Sequence, residues 1–119
     1  MKDFKKSLVW PRAHEFVQAV YSISTGFPSQ ERYGLTSQLR RAAASVPTNI
    51  AEGCGRQGDA ELRGFCQIAM GSASEVEYHL LPAQNLNFVE SLDHHKLNDQ
   101  LIELKRMLNS FLQKQSAKC

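Results

Sequence analysis

Between Asp59 and Gln84 the residues Leu62, Phe65, Cys66, Ala69, Ala73, Val76, Leu80 and Ala83 recur at steps of three and four. At 3.6 residues per turn such steps stack side chains on one stripe of a helix, whereas a half-buried strand would alternate at every second position. A helix this long with one apolar stripe must lay that stripe against other helices. The rest of the chain supplies them. Trp10-Pro11 opens a helix over about 11–25, because proline is tolerated at the first helical position. Its apolar side holds Ala13, Phe16, Val17, Val20 and Ser24, and Gly26-Phe27-Pro28 stops it. A second helix is expected over 36–54, with Thr36 as N-cap and Leu39, Ala43, Val46, Ile50 and Cys54 on one face. The third is expected over 59–84 with Asp59 as N-cap. The fourth covers 93–113, where Leu97, Leu101, Leu104, Leu108 and Phe111 follow 4-3-4-3 spacing, and the polar tail after Gln113 is expected to fray. No segment alternates as a strand would. The expectation is a single all-α domain over 1–119, an antiparallel up-down-up-down four-helix bundle.

With 119 residues, 42% of them hydrophobic, the chain can bury a core without metals or cross-links. No apolar run approaches the ~18 residues of a membrane span, and the start lacks the apolar stretch of a secretion signal, so a cytoplasmic protein without a membrane partner is expected. Cys54, Cys66 and Cys119 match no zinc spacing and are expected as free thiols, with Cys119 exposed. Net charge is only +2, but residues 1–56 hold eight Lys/Arg against four acids while the remainder holds six against eight. That bias permits nucleic-acid contact without demanding it.

The second helix carries more apolar surface than one core needs. Beside its main face, Ala44, Pro47 and Ala51 form a second stripe of small residues. Pro47 also removes a backbone hydrogen bond, at a cost of ~3 kcal/mol or more in a helix interior, and is expected to kink the helix. On the third helix Gly64 and Gly71 lie seven apart opposite the core stripe, where each costs about 1 kcal/mol relative to alanine. Small residues at such positions let another backbone come close, so Ala44, Pro47, Ala51, Gly64 and Gly71 are the candidate contacts of a homo-oligomer.

Several short patterns bear on chemistry. Gly53-Cys54-Gly55-Arg56-Gln57-Gly58 matches the dinucleotide fingerprint G-x-G-x-x-G, but it follows a helix instead of a strand and reads as a helix-ending turn. Glu75 and His79 are i, i+4 neighbours placed on an outward face, and Asp93-His94-His95 sits near a helix start. Neither supplies the inward carboxylates and histidines of a di-metal bundle. Ser45, Ser72 and Ser74 lack the strand-turn-helix setting of an activated serine, and Cys66 reads as a small core residue. The expected protein is not an enzyme and takes no cofactor or metal. A phosphate-binding surface is the sharper possibility, with Arg40, Arg41, Arg56 and Arg63 as its guanidinium groups. Arg41 aligns with Ser45, Thr48 and Glu52 along one outward stripe, where a solvated Arg-Glu network is the plainer alternative.

Trp10, Tyr21, Phe27-Pro28, Glu31, Tyr33-Gly34-Leu35, the run from Gln38 to Gly53, Phe65, Ala69-Met70-Gly71-Ser72 and Glu75 together resemble a bacterial family. It is the four-helix bundle family encoded by intervening sequences in 23S rRNA genes, related to the accessory variability proteins of diversity-generating retroelements. The resemblance covers about residues 8 to 90. It implies a small cytosolic bundle that assembles as a ring-shaped homopentamer, of poorly defined role. The retroelement relatives bind nucleic acid and a reverse transcriptase, which implies RNA or DNA binding at Arg40, Arg41, Arg56 and Arg63. The alternative is an oligomeric scaffold that docks a protein partner without nucleic acid. Asn87 stands where the family commonly has glycine after the third helix.

Overall fold

The structure is a computed structural model and describes residues 3–113. Four helices account for most of it: α1 (Trp10–Ser24), α2 (Leu35–Cys54), α3 (Asp59–Asn85) and α4 (Ser91–Gln113). Short 3₁₀ turns at Phe4–Lys6 and Ser29–Glu31 precede α1 and α2, and no strand occurs among the described residues. The helices run antiparallel to their sequence neighbours. Ser45 meets Ser72, and Gly53 faces Leu62 and Phe65, so α2 descends as α3 rises. Arg40 reaching Tyr21 and Ser24, and Lys105 reaching Glu77, give the same sense to α1–α2 and α3–α4. The bundle measures 43 × 24 × 19 Å, its long axis set by α3 at about 1.5 Å per residue.

The core is the set of stripes facing inward from all four helices: Phe16 and Val20, Leu39, Val46 and Ile50, Leu62, Val76 and Leu80, then Leu101, Leu104 and Leu108, each nearly or fully buried. Phe27 and Phe88 pack ring to ring at 5.8 Å and join the α1–α2 turn to the α3–α4 turn. Burial of this kind is the main stabilising term, at roughly 25 cal/mol per Å² of apolar surface removed from water.

The helix ends show where local chemistry departs from expectation. Thr36 is not the cap of α2. Gly34 occupies that position, Thr36 lies inside the first turn, and the Glu31 carboxylate accepts the Leu35 N–H at 3.2 Å. An acidic oxygen placed there also suits the positive end of the helix dipole. Asp59 is the first residue of α3 and not its cap, since Gly58 precedes it at φ 103°. At the other end of α3, Asn87 adopts φ 61°, the Asn87 N–H donates to the Gln84 carbonyl at 3.0 Å and the Phe88 N–H to the Ala83 carbonyl at 2.8 Å. This is a Schellman ending, in which asparagine takes the left-handed position usually given to glycine.

Both α2 and α3 continue through an internal proline, Pro47 and Pro82. Around Pro47 two side chains reinforce neighbouring carbonyls: Thr48 Oγ1 donates to Ala44 O and Asn49 Nδ2 to Ser45 O, each at 2.8 Å. The carbonyls that accept these extra bonds lie one and two residues past the Ala43 carbonyl that the proline leaves without its helical partner. Of the cysteines, Cys66 is a free buried thiol, as expected, whereas Cys54 is disulfide-bonded at the buried end of α2. Cys119 and the tail after Gln113 lie outside the described residues.

Candidate functional site

The four arginines are not gathered into one patch. Arg40 is turned toward α1, where its Nε donates to Ser24 Oγ at 2.7 Å and a terminal nitrogen to the Tyr21 carbonyl at 3.2 Å. Its guanidinium also lies 4.6 Å from the centroid of the Tyr21 ring. A cation on the last carbonyls of α1 complements that helix end, so Arg40 is a strap between two helices. Arg63 donates to the Leu112 carbonyl and ties the start of α3 to α4. Arg56 lies 5.1 Å from the Phe65 ring centroid and 3.7 Å from Glu52. Arg41 alone is exposed with no hydrogen bond or ion pair among the described residues. It does not join Glu52 in a network, because Glu52 pairs with Arg56 and Ser45 turns toward α3. Arg41 and Arg56 stand fifteen residues apart in sequence, and about 20 Å of helix rise separates Arg41 from the far end of α2.

The small-residue stripe of α2 is largely covered within one chain. Pro47 is buried, and Ala44 and Ala51 are half-buried in a shallow groove whose other walls include Phe4, Trp10, His14 and Val17. Trp10 stands edge-on to Phe4 at 4.8 Å between centroids and is stacked on His14 at 4.9 Å. The burial of Pro47 therefore follows from the Phe4–Trp10 segment folding over α2 and does not itself call for a second chain.

On α3 the glycines behave differently from Gly53. A Cβ on Gly53 would lie 2.8 Å from Leu62 Cδ1 and 2.9 Å from Phe65 Cβ, so glycine is what allows α2 and α3 to approach there. A Cβ on Gly64 or Gly71 would meet nothing within 4 Å. Nothing in the protomer requires glycine at either place. They share an outward stripe with Ile68, Glu75 and Tyr78 at helical spacing, and Ile68 and Tyr78 are 54% and 64% exposed. Over its middle turns this face carries a single charge.

One outward assignment is corrected by the structure. Glu75 is exposed as expected, but His79 is buried, its Nε2 3.2 Å from Glu75 Oε2. His79 lies on the flank of the stripe that faces α2, in line with Phe65 and Ser72, and not opposite the core. No group of three or more His, Cys, Asp or Glu side chains placed to hold a metal ion occurs among the described residues. The Gly53–Gly58 run is a turn: the Gly55 N–H returns to the Ala51 carbonyl at 3.1 Å, closing α2 before α3 begins. A contact missed from sequence is Ser45 Oγ to Ser72 Oγ at 2.8 Å, extended by Asn49 Nδ2 at 2.9 Å, a polar tie across the α2–α3 seam. The only available signal was a serine on the flank of each apolar stripe.

Comparison with known proteins fits this architecture. The profile of the 23S rRNA-intervening sequence protein family matches residues 5–110. The chain belongs to this family. A crystal structure of a protein of unknown function from the S23 ribosomal protein family of Bacteroides thetaiotaomicron superposes with a TM-score of 0.79 at 22% identity, covering 88% of this chain and 98% of the other. At that identity the likeness speaks for the four-helix fold. No curated protein matches the chain. The family profile takes in all four helix starts, so the α3 face and the groove apart from Phe4 lie inside the shared segment. No helix among the described residues is long and apolar enough to cross a membrane.

Proposed function

We propose that this family member is a non-catalytic, self-associating bundle whose α3 outer face packs against another copy, with the closed pentameric ring implied by its resemblance as the working form. The observation that supports this reading is the stripe Gly64, Ile68, Gly71 and Tyr78. Its two glycines have no role inside the protomer and its two large side chains are more than half exposed. Glycines on an exposed helix each cost about 1 kcal/mol, and close approach of another chain offsets that cost. The role that follows is a scaffold presenting repeated copies of one surface. Light scattering at physiological salt tests it: the expected mass is five times 13.4 kDa, and Gly71→Arg is expected to return the protein to its monomer mass with unchanged helix content. A wild-type mass of 13.4 kDa overturns the reading.

Nucleic-acid binding is the second reading, and the exposed, unpaired Arg41 favours it. Repetition around an oligomer multiplies one phosphate contact per chain, giving affinity that falls steeply with salt. Filter binding to structured RNA, single strands and duplex DNA at low and moderate salt is the test. Arg41→Ala is expected to lower affinity and flatten the salt dependence, and absence of binding to all three sinks this reading.

A further inference from the structure

The α1–α4 seam of the bundle is open. Along it runs a cleft of about 750 Å³ floored by Ala19, Ile23 and Leu97, with Ser22 and Gly26 on the α1 side. A narrower cleft continues it through Asp99 and Gln100 to Leu104. The cause is side-chain size: α1 offers Ala19 and Ser22, and the turn after it Gly26, too small to fill the space before α4, while interiors elsewhere are close-packed. The rim is charged and mostly acidic. Glu15, Asp93, Asp99 and Glu103 stand against Arg12 and Lys96, in a chain whose net charge is +2. Arg106 holds Glu103 at 2.6 Å and His95 lies 3.4 Å from Asp99, leaving Glu15 and Asp93 without an ion pair among the described residues.

We infer that this cleft is a docking groove for a basic amphipathic helix of a partner protein. The span from Asp93 to Leu104 is about 16 Å, three helical turns, which matches apolar anchors at i, i+3, i+7 and i+10. Leucine-sized side chains fill the space over Ala19 and Ile23, and flanking lysines or arginines meet Glu15, Asp93 and Asp99. The acidic rim selects against an acidic partner and raises the association rate of a basic one. The inference rests on the scaffold reading only in taking a protein as the partner, because the groove lies on α1 and α4, away from the Gly64–Tyr78 stripe, and exists in a single chain.

The test is fluorescence anisotropy with a labelled peptide of about 14 residues, leucine at the four anchor positions and lysine elsewhere, beside a twin with glutamate in place of lysine. The lysine peptide is expected to bind with saturable 1:1 stoichiometry per chain and the glutamate peptide at least tenfold more weakly. Ala19→Leu fills the groove and is expected to weaken binding at least tenfold. The exposed pair Asp93→Lys and Asp99→Lys, which does not touch the core, is expected to do the same and to flatten the salt dependence. Lack of binding, equal binding of the two peptides, or wild-type affinity in both variants overturns the inference. Oligomer mass, measured on the same samples, reports on self-association separately.

Discussion

The α2–α3 seam and the α1–α4 seam are both lined with small residues, yet one is shut and the other is open. In the closed seam smallness is reciprocal. Ala42, Ala43 and Gly53 on α2 and Ala69 and Ala73 on α3 are all buried, Gly53 faces Leu62 and Phe65, and the serines at 45 and 72 bond across the seam at 2.8 Å. In the open seam only α1 is small, and the rim sets Glu15 against Asp99 and Glu103. Small side chains permit close approach but do not cause it. Closure needs a partner surface that fits, a polar tie, and no repulsion along the edge.

The largest expected effect comes from breaking the closed seam at its tightest point. Gly53→Val places new atoms against Leu62 Cδ1 and Phe65 Cβ, and its β-branched side chain has no room to turn aside, so a loss of about 3 kcal/mol is expected in urea unfolding. Wild-type stability in this variant would mean the two helices slide apart cheaply. A smaller loss, about 1 kcal/mol, is expected for Ser45→Ala, which strands the Ser72 hydroxyl and removes an acceptor from Asn49. Combining it with Ser72→Ala should cost less than the two singles added, which a double-mutant cycle reads directly.

Cys66 measures how long the closed side stays shut. Burial pushes its thiol from 9.0 up to about 11, so at pH 8 its thiolate fraction is roughly a hundredfold below that of an exposed thiol. Because the folded value lies above the unfolded one, this contribution to stability is complete below pH 9 and is lost as pH rises toward 11. Alkylation at Cys66, followed by peptide mapping, should stay slow at pH 8 and accelerate in Gly53→Val. The smallest effect is expected in the open seam. Ala19→Leu should change stability by no more than about 0.5 kcal/mol, since the added side chain enters free space. A loss as large as that of Gly53→Val would show that the α1–α4 seam is packed after all.

Periodicity made the four helices legible: each begins, and α1 to α3 also end, within about two residues of the sequence-based expectation because stripes at 3.6-residue spacing run their length. The left-handed turn after α3 was not legible, since asparagine stands where the resembled family commonly has glycine, and the fold alone gives Asn87 its φ of 61°. What escaped the sequence depended on contacts between segments far apart in the chain. Arg40 reads as a surface cation until α1 brings Tyr21 and Ser24 beneath it. Pro47 looks stranded until the Phe4–Lys6 turn, too short to show a period, folds over it. His79 sat near the boundary between an outward and an inward position, and the presence of α2 on that flank decided it. Capping by Glu31 in place of Thr36 was hidden because a carboxylate four residues upstream reached the free amide first.

The stack of Phe4, Trp10 and His14 gives the molecule a built-in optical label. Trp10 is the sole tryptophan, so indole emission comes from one place, where the Phe4–Lys6 turn meets the first turn of α1 above Ala44 and Pro47. A change in that emission before the loss of helical circular dichroism on heating would register the lifting of this cover while the bundle beneath it is still intact.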